Sequence, residues 1–238
     1  MKKIFVMLTA IVAFASCEKS GYAVTGDVEN FAEGAKVYLA ATSDEGFTKI
    51  DSTTIQNKSF TFKGESKGVE YSLIQIEEEA GTVPFQIQMV LENGKIKVTA
   101  DKNDIEKTVV SGTKNNDDLQ RFNESLATTR KEIEKQQEEL GANDENEQDF
   151  GKIIEFQQTA QKKMFDAINS FIDQNKDSYV SLFLLANLSQ AISTEELKEK
   201  YNALSTEVKE TRMGKEVADK LKKIEATTVG QKLLISKS

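Results

Sequence analysis

The sequence predicts an α+β protein in which an N-terminal antiparallel β-sandwich is followed by a C-terminal α-helical bundle. Residues 22–113 contain short apolar segments separated by turn signals, which is typical of an all-β unit. From Asn116 onward the chain has no proline, and its apolar residues recur at helical spacing. The pattern therefore divides the body into a β-sandwich domain at 22–113 and an α-helical region at 114–238.

The strands of the sandwich are predicted from apolar runs with alternating or β-branched character. They lie at 24–28, 37–39, 47–55, 60–62, 71–76, 85–91, 96–98 and 109–110. Asn93-Gly94 is the strongest hairpin signal in the chain, and Asn57-Lys58 predicts a second hairpin turn because Asn tolerates positive φ. Pro84, the only proline, falls at a strand start, where the missing N–H costs little.

Two long helices are predicted at the start of the helical region. The first is indicated by one apolar stripe, made of Leu119, Phe122, Leu126, Ile133 and Leu140. Polar and acidic residues at 116–118 can cap its N-terminus and favour its dipole. Residues 141–147 break this helix, and a second one then carries apolar residues over 150–172.

Three shorter helices are expected to complete the bundle. Residues 179–188 are apolar on most sides, which predicts a buried core helix. Ser193, followed by Glu196, forms a capping box that begins another helix. The last helix is expected at 213–224. Beyond it, residues 226–230 resemble a linker, and the strand-like run at 233–235 belongs to a short tail without a fold of its own.

The first seventeen residues have the layout of a secretory signal. Lys2 and Lys3 precede an apolar run over 4–14, and small residues then lead into Cys17. The run is shorter than the roughly 20 residues that span a bilayer. Cys17 is the only cysteine, so the chain can form neither an internal disulfide nor a CxxC redox pair.

A lone cysteine directly after a signal core resembles the lipid-attachment cysteine of bacterial lipoproteins. The resemblance implies cleavage before Cys17 and diacylation of its thiol, with residues 18–21 as a short tether. The alternative is a plain secretory signal that happens to contain a cysteine. Lipid attachment would place the protein in the cell envelope as an outer-membrane lipoprotein. No acidic run follows Cys17, which favours the periplasmic face.

The charge of the chain excludes some partners. The chain has 31 basic and 39 acidic residues, which gives a formal net charge of −8. Removal of Lys2 and Lys3 with the signal leaves 29 basic residues and a net charge of −10. Nucleic-acid binding needs clustered Lys and Arg, so we expect no nucleic-acid partner. The acidity argues equally against a basic membrane-binding face.

The residues offer little for catalysis or metal binding. The chain has no histidine, which removes the Ser-His-Asp and Cys-His arrangements and the commonest metal ligand. The carboxylate run at 77–79 is interpreted as a solvated strand end. The segments 101–104 and 143–147 look like calcium loops but lack the glycine and glutamate in register. We therefore predict no catalytic, cofactor-binding or metal residues.

Three aromatic residues are the remaining candidates for a ligand site. Phe60, Phe62 and Phe85 could line a groove, although aromatic residues at strand spacing are more often part of a core.

Several segments resemble a domain found in lipoproteins of Bacteroidetes. In the β part they are GYAVTGDVENFAEGAKVYLAA, KIDSTTIQNKSFTFKGE, MVLENGKIKVTAD and VSGTKNNDDLQRF; in the helical part they are FIDQNKDSYVSLFLLANL and ELKEKYNALSTEVKETRMGKEV. That domain is known only as a domain of unknown function, and it usually precedes a thioredoxin-like domain of the TlpA/ResA disulfide-reductase type. The resemblance covers most of residues 22–231.

The resemblance does not transfer a redox activity to any residue. The helical part of such proteins leads into the thioredoxin domain, whereas this sequence ends at Ser238 without that domain or its CxxC pair. We therefore predict a non-catalytic outer-membrane lipoprotein that acts as a periplasmic binding or docking module. Two alternatives stay open: an accessory or truncated part of a thiol-disulfide system with a thioredoxin-like partner, and a structural spacer of the envelope.

Overall fold

A computed structural model describes residues 21–43, 46–79, 81–142 and 150–235. The predicted signal with Cys17, most of the tether at 18–21 and the polar segment 143–149 lie outside the described residues. Eight strands precede six helices in the described part, so the predicted α+β class is confirmed. The strands are β1 (Tyr22–Glu29), β2 (Lys36–Ser43), β3 (Gly46–Thr54), β4 (Ser59–Gly64), β5 (Glu70–Glu77), β6 (Phe85–Leu91), β7 (Gly94–Asp101) and β8 (Asp104–Ser111).

The strands form two four-stranded sheets that pack face to face. The first sheet has the order β4-β1-β7-β8, and the second has the order β3-β2-β5-β6. Within each sheet, the described strand pairs are antiparallel except for β1 and β7, which run parallel from Tyr22↔Gly94 to Glu29↔Asp101. The sandwich is therefore antiparallel in most pairs and mixed at its centre.

The strand order of the two sheets shows that one predicted hairpin is wrong. Asn93-Gly94 joins β6 to β7, but these strands lie in different sheets. The turn is a corner between the sheets, where Gly94 adopts φ 140° and the Asn93 side chain bonds the backbone N–H and C=O of Ser66. The predicted hairpin turn at Asn57-Lys58 is confirmed: both residues have positive φ, and Gln56 and Ser59 on either side of them form a reciprocal antiparallel bridge. The strands β3 and β4 that it joins nevertheless belong to different sheets.

The helices follow directly after the last strand. They are α1 (Lys114–Ala142), α2 (Phe150–Gln174), α3 (Tyr179–Leu188), α4 (Thr194–Ala203), α5 (Thr206–Lys209) and α6 (Arg212–Ile235). Ser178 and Ser193 cap α3 and α4 through their side-chain oxygens, which accept from backbone N–H groups. Six of the ten residues of α3 are buried, as expected of a core helix.

The predicted end of the last helix is wrong. Residues 226–230, expected as a linker, and 233–235, expected as a strand-like run, are both helical backbone within α6. Turn-prone Thr-Thr-Val-Gly at 227–230 suggested an end, but a single glycine costs a helix only about 1 kcal/mol and no proline follows it.

The protein has two hydrophobic cores that share one sheet. The first lies between the sheets and contains inward residues such as Val24, Phe62 and Ile96. The second lies between the outer face of β5 and β6 and the helices, where Tyr71 stacks on Phe183 with ring centroids 3.9 Å apart. Because the helices pack on the outer face of the second sheet at Tyr71 and Val90, the two parts of the chain are separate in sequence but not in packing.

Candidate functional site

One end of the sandwich carries a pocket built by three connections. The segment between β1 and β2 supplies Phe31, the segment between β5 and β6 supplies Val83 and Pro84, and the turn after β7 supplies Lys102. Phe31 packs edge-on against Phe85 at the start of β6, with ring centroids 5.1 Å apart. We call this depression, of about 340 Å³, the sandwich-end pocket.

Charged groups fix the walls of the sandwich-end pocket. Glu78 accepts a hydrogen bond from the backbone N–H of Ala32 at 2.8 Å and forms an ion pair with Lys102. The hydrogen bond from Lys102 is the main reason that the pKa of Glu78 lies below its ordinary value, and the bond from Ala32 adds to the effect. These contacts tie all three connections together, so the pocket is held open by a defined frame.

A second carboxylate holds the neighbouring turns. Asp101 accepts from the Asn30 side-chain amide at 2.6 Å and from the Asn103 backbone N–H at 3.0 Å. These hydrogen bonds, with Asn30 the largest contributor, keep the pKa of Asp101 below its usual range. Asn30 itself has φ 64°, a left-handed conformation that asparagine tolerates well.

The pocket is suited to binding an apolar group. Its floor and rim combine aromatic rings, Pro84 and an almost fully exposed Val83, 93% accessible. The titratable groups on its wall, Glu78 and Lys102, are already paired with each other. Across the described ranges, no cluster of three or more His, Cys, Asp or Glu side chains could hold a metal ion.

The structure separates the aromatic candidates taken from the sequence. Phe60 and Phe62 are 3% and 2% exposed in the sandwich core, whereas Phe85 reaches the pocket. The sequence reasoning missed Phe31. In the sequence, Phe31 is a lone aromatic residue between Asn30 and Gly34, which both adopt positive φ in the structure. A turn presents such a side chain at the surface, so this pattern could have identified Phe31 as a candidate.

The carboxylate candidates have structural roles. Glu78 belongs to the pocket wall, and Glu77 accepts from the backbone N–H of Gly81. Residues 101–104 form the turn between β7 and β8. Cys17, the predicted lipid-attachment residue, lies outside the described residues.

A second surface of interest is the outer part of the helical hairpin formed by α1 and α2. We call residues 127–142 and 150–168 the outer hairpin. Large apolar side chains on it remain exposed: Phe150 by 71%, Ile154 by 53% and Ile153 by 42%. A shallow groove of about 540 Å³ runs between its helices, bordered by Ile133 on α1 and by Met164 and Phe165 on α2.

The fold defines an α+β protein with an eight-stranded sandwich and helices on one sheet face. Residues 22–119 match the family model described as "Domain of unknown function (DUF4369)". This match spans the sandwich and the first turns of α1, and it confirms the resemblance over that part of the chain. No curated protein matches the chain. None of the described helices is both long and apolar enough to cross a membrane.

Proposed function

We propose that this chain is a non-catalytic outer-membrane lipoprotein that faces the periplasm and binds a protein partner through the sandwich-end pocket. The observation that supports this function best is the pocket itself, an open depression that combines aromatic and aliphatic side chains with the Glu78–Lys102 ion pair. Loops at one end of a β-sandwich are a common position for binding sites because the sheets hold them rigidly. Anchoring rests on Cys17, whose acyl chains would supply the membrane affinity.

The charges around the pocket favour a particular partner chemistry. The three connections that build it carry three carboxylates, those of Glu33, Glu78 and Glu79, against one ammonium group, that of Lys102. The basic residues on the same connections are fewer, and Lys102 is engaged by Glu78. A partner segment that inserts an apolar side chain and carries neighbouring Lys or Arg would fit both the pocket and its rim.

The experiment that tests this proposal compares two surface variants in capture from solubilised membranes. Val83→Lys places at the pocket rim a positive charge that repels the basic residues of the partner, and Ile105→Lys is the matched control because Ile105 is an exposed apolar residue of β8 outside the pocket, 68% accessible. We expect the wild type and Ile105→Lys to retain one specific partner and Val83→Lys to lose it. Equal capture by all three proteins would contradict a role for the pocket.

The same capture separates the two alternatives. An accessory of a thiol-disulfide system should retain a thioredoxin-like protein with a CxxC pair, because the chain has a single cysteine and cannot perform dithiol exchange alone. A spacer should retain envelope polymers or nothing specific. Membrane attachment is checked separately: Cys17→Ser should release the protein from the membrane fraction, and retention after a high-salt wash would contradict the lipoprotein assignment.

A further inference from the structure

The apolar side of α2 is longer than the part of it that the rest of the protein covers. Phe150, Ile154, Phe165, Ile168 and Ile172 recur at spacings that place them on one side of the helix. Ile172, near the end of α2, is 1% exposed because the bundle packs on it, whereas exposure rises to 53% at Ile154 and 71% at Phe150. The side of α2 that these residues share is therefore buried at its inner end and exposed at its outer end.

The outer hairpin differs in charge from the rest of the molecule. It holds equal numbers of basic and acidic residues: Arg130, Lys131, Lys135, Lys152, Lys162 and Lys163 against Glu132, Glu134, Glu138, Glu139, Glu155 and Asp166. The whole chain has a formal net charge of −8, so this charge resides outside the outer hairpin. Two copies can bring their outer hairpins together without the repulsion that two acidic bodies would suffer elsewhere.

We propose that the outer hairpin is the interface between two copies of this chain, which pair antiparallel through α2 to form a four-helix bundle. This side of α2 is self-complementary about its middle. Small clusters of apolar side chains, Phe150 with Ile154 and Phe165 with Ile168, stand on either side of the polar pair Gln157 and Gln161. An antiparallel two-fold axis near residue 160 lays Ile154 of each copy against the groove at Phe165 of the other.

Charge supports the antiparallel orientation over the parallel one. The segment that joins α1 to α2 contains four acidic residues, Asp144, Glu145, Glu147 and Asp149, and no basic residue. A parallel pair would bring two such segments together at one end. An antiparallel pair separates them by the length of residues 150–168, about 27 Å at 1.5 Å per residue. At that distance, salt at physiological strength screens their repulsion.

Sedimentation of the chain lacking residues 1–17 tests the interface. We expect a dimer for the wild type, a dimer for Ile105→Glu, and a monomer for Ile154→Glu and for Phe150→Glu, with circular dichroism unchanged in all four. A monomeric wild type at about 100 μM, a concentration that populates even a weak dimer, would overturn the proposal. A dimer that survives both hairpin substitutions would also overturn it.

Disulfide trapping tests the orientation. Removal of residues 1–17 leaves the chain free of cysteine, so single cysteines introduced on α2 report only contacts between copies. An equimolar mixture of Gln157→Cys and Gln161→Cys should give mainly the mixed disulfide, because these positions oppose each other across the antiparallel axis. Predominance of the 157–157 disulfide would contradict the antiparallel arrangement. The proposal is independent of the sandwich-end pocket, so Val83→Lys should remain a dimer.

Discussion

The side-chain amide of Asn116 both accepts a hydrogen bond from the backbone of Val90 and donates one to it. The Val90 N–H donates to Asn116 Oδ1 at 2.9 Å, and Asn116 Nδ2 donates to the Val90 carbonyl at 2.8 Å. Both residues are 0% exposed. Since β6 is an edge strand of its sheet, the first turn of α1 takes the place of a further strand at this point and fastens the helices to the sandwich.

Asn116→Ala should destabilise the whole protein. The substitution leaves a buried N–H and a buried C=O of Val90 without partners, which we expect to cost about 2–4 kcal/mol of unfolding free energy. Urea unfolding followed by circular dichroism measures the change. The control is Asn202→Ala, at an exposed position on α4, which should change the free energy by less than about 0.5 kcal/mol. Equal effects of the two substitutions would show that the Val90 pairing contributes nothing.

The isolated segment 22–113 should retain β-structure but not the stability of the whole chain. Without the helices, Tyr71 and Val90, now 6% and 0% exposed, would face water on the outer side of β5 and β6. We expect a β-type circular dichroism spectrum, strong binding of a hydrophobic dye and a lower denaturation midpoint than for residues 21–238. A segment as stable as the longer chain, with no dye binding, would contradict the shared core.

Asp118 should make the stability depend on pH in the acid range. Burial raises the pKa of this carboxyl, which is 2% exposed. Hydrogen bonds from Lys114, Ser178 and Arg121 outweigh burial and hold the pKa below its ordinary value. A lowered folded-state pKa gives stability that is present above the unfolded value, about 3.9, and is lost as the pH falls through the folded value.

Asp118→Asn should remove this contribution. We expect the variant to lose about 1–2 kcal/mol at pH 7, and its difference from the wild type to shrink as the pH is lowered below about 4. Unfolding free energies from urea titrations at several pH values measure both effects. The control Asp27→Asn alters an exposed carboxylate of β1 and should change the unfolding free energy at pH 7 by less than about 0.5 kcal/mol. A difference that stays constant down to the lowest pH would contradict the role assigned to Asp118.

Gly26→Ala should disrupt the sandwich core. A Cβ atom at Gly26 would lie 2.1 Å from the ring of Phe60, which is itself 3% exposed. Overpacking of this kind typically costs about 1–3 kcal/mol. The matched control is Gly68→Ala, since nothing lies within 4 Å of a Cβ at Gly68. Thermal unfolding should show a lower midpoint for the first variant and little change for the second.

The fold class and the order of the strands and helices could be predicted from periodicity, because alternation and helical spacing are local properties of the sequence. The pairing between strands could not be predicted in this way. Asn93-Gly94 has the local chemistry of a hairpin, but whether β6 and β7 share a sheet depends on contacts with β1 and β5, which no local pattern encodes. The polar groups at 116–118 were expected to cap α1, but α1 begins at Lys114, so they lie inside its first turns. There Asn116 binds the sheet edge and Asp118 forms ion pairs.

The sandwich-end pocket was only partly predictable for a related reason. Phe85 was one of three aromatic candidates for a ligand groove, but the pocket needs Phe31 and Lys102 as well, which are distant in sequence. Their convergence follows from the two-sheet topology, which brings three connections to one end. The apolar residues of α2 were predicted from their spacing, but spacing alone does not tell which of them the rest of the protein covers.

A reporter tryptophan in the sandwich-end pocket provides the most direct measurement of the proposed function. The chain has no tryptophan, so Val83→Trp introduces one emitting side chain at an exposed position of the rim. Titration with the peptide Arg-Leu-Arg should shift its emission to shorter wavelength in a saturable manner, and Glu-Leu-Glu should not, because the pocket is apolar and its surroundings are acidic. An emission spectrum that neither peptide changes, or that both change equally, would contradict a pocket that selects an apolar side chain beside basic residues.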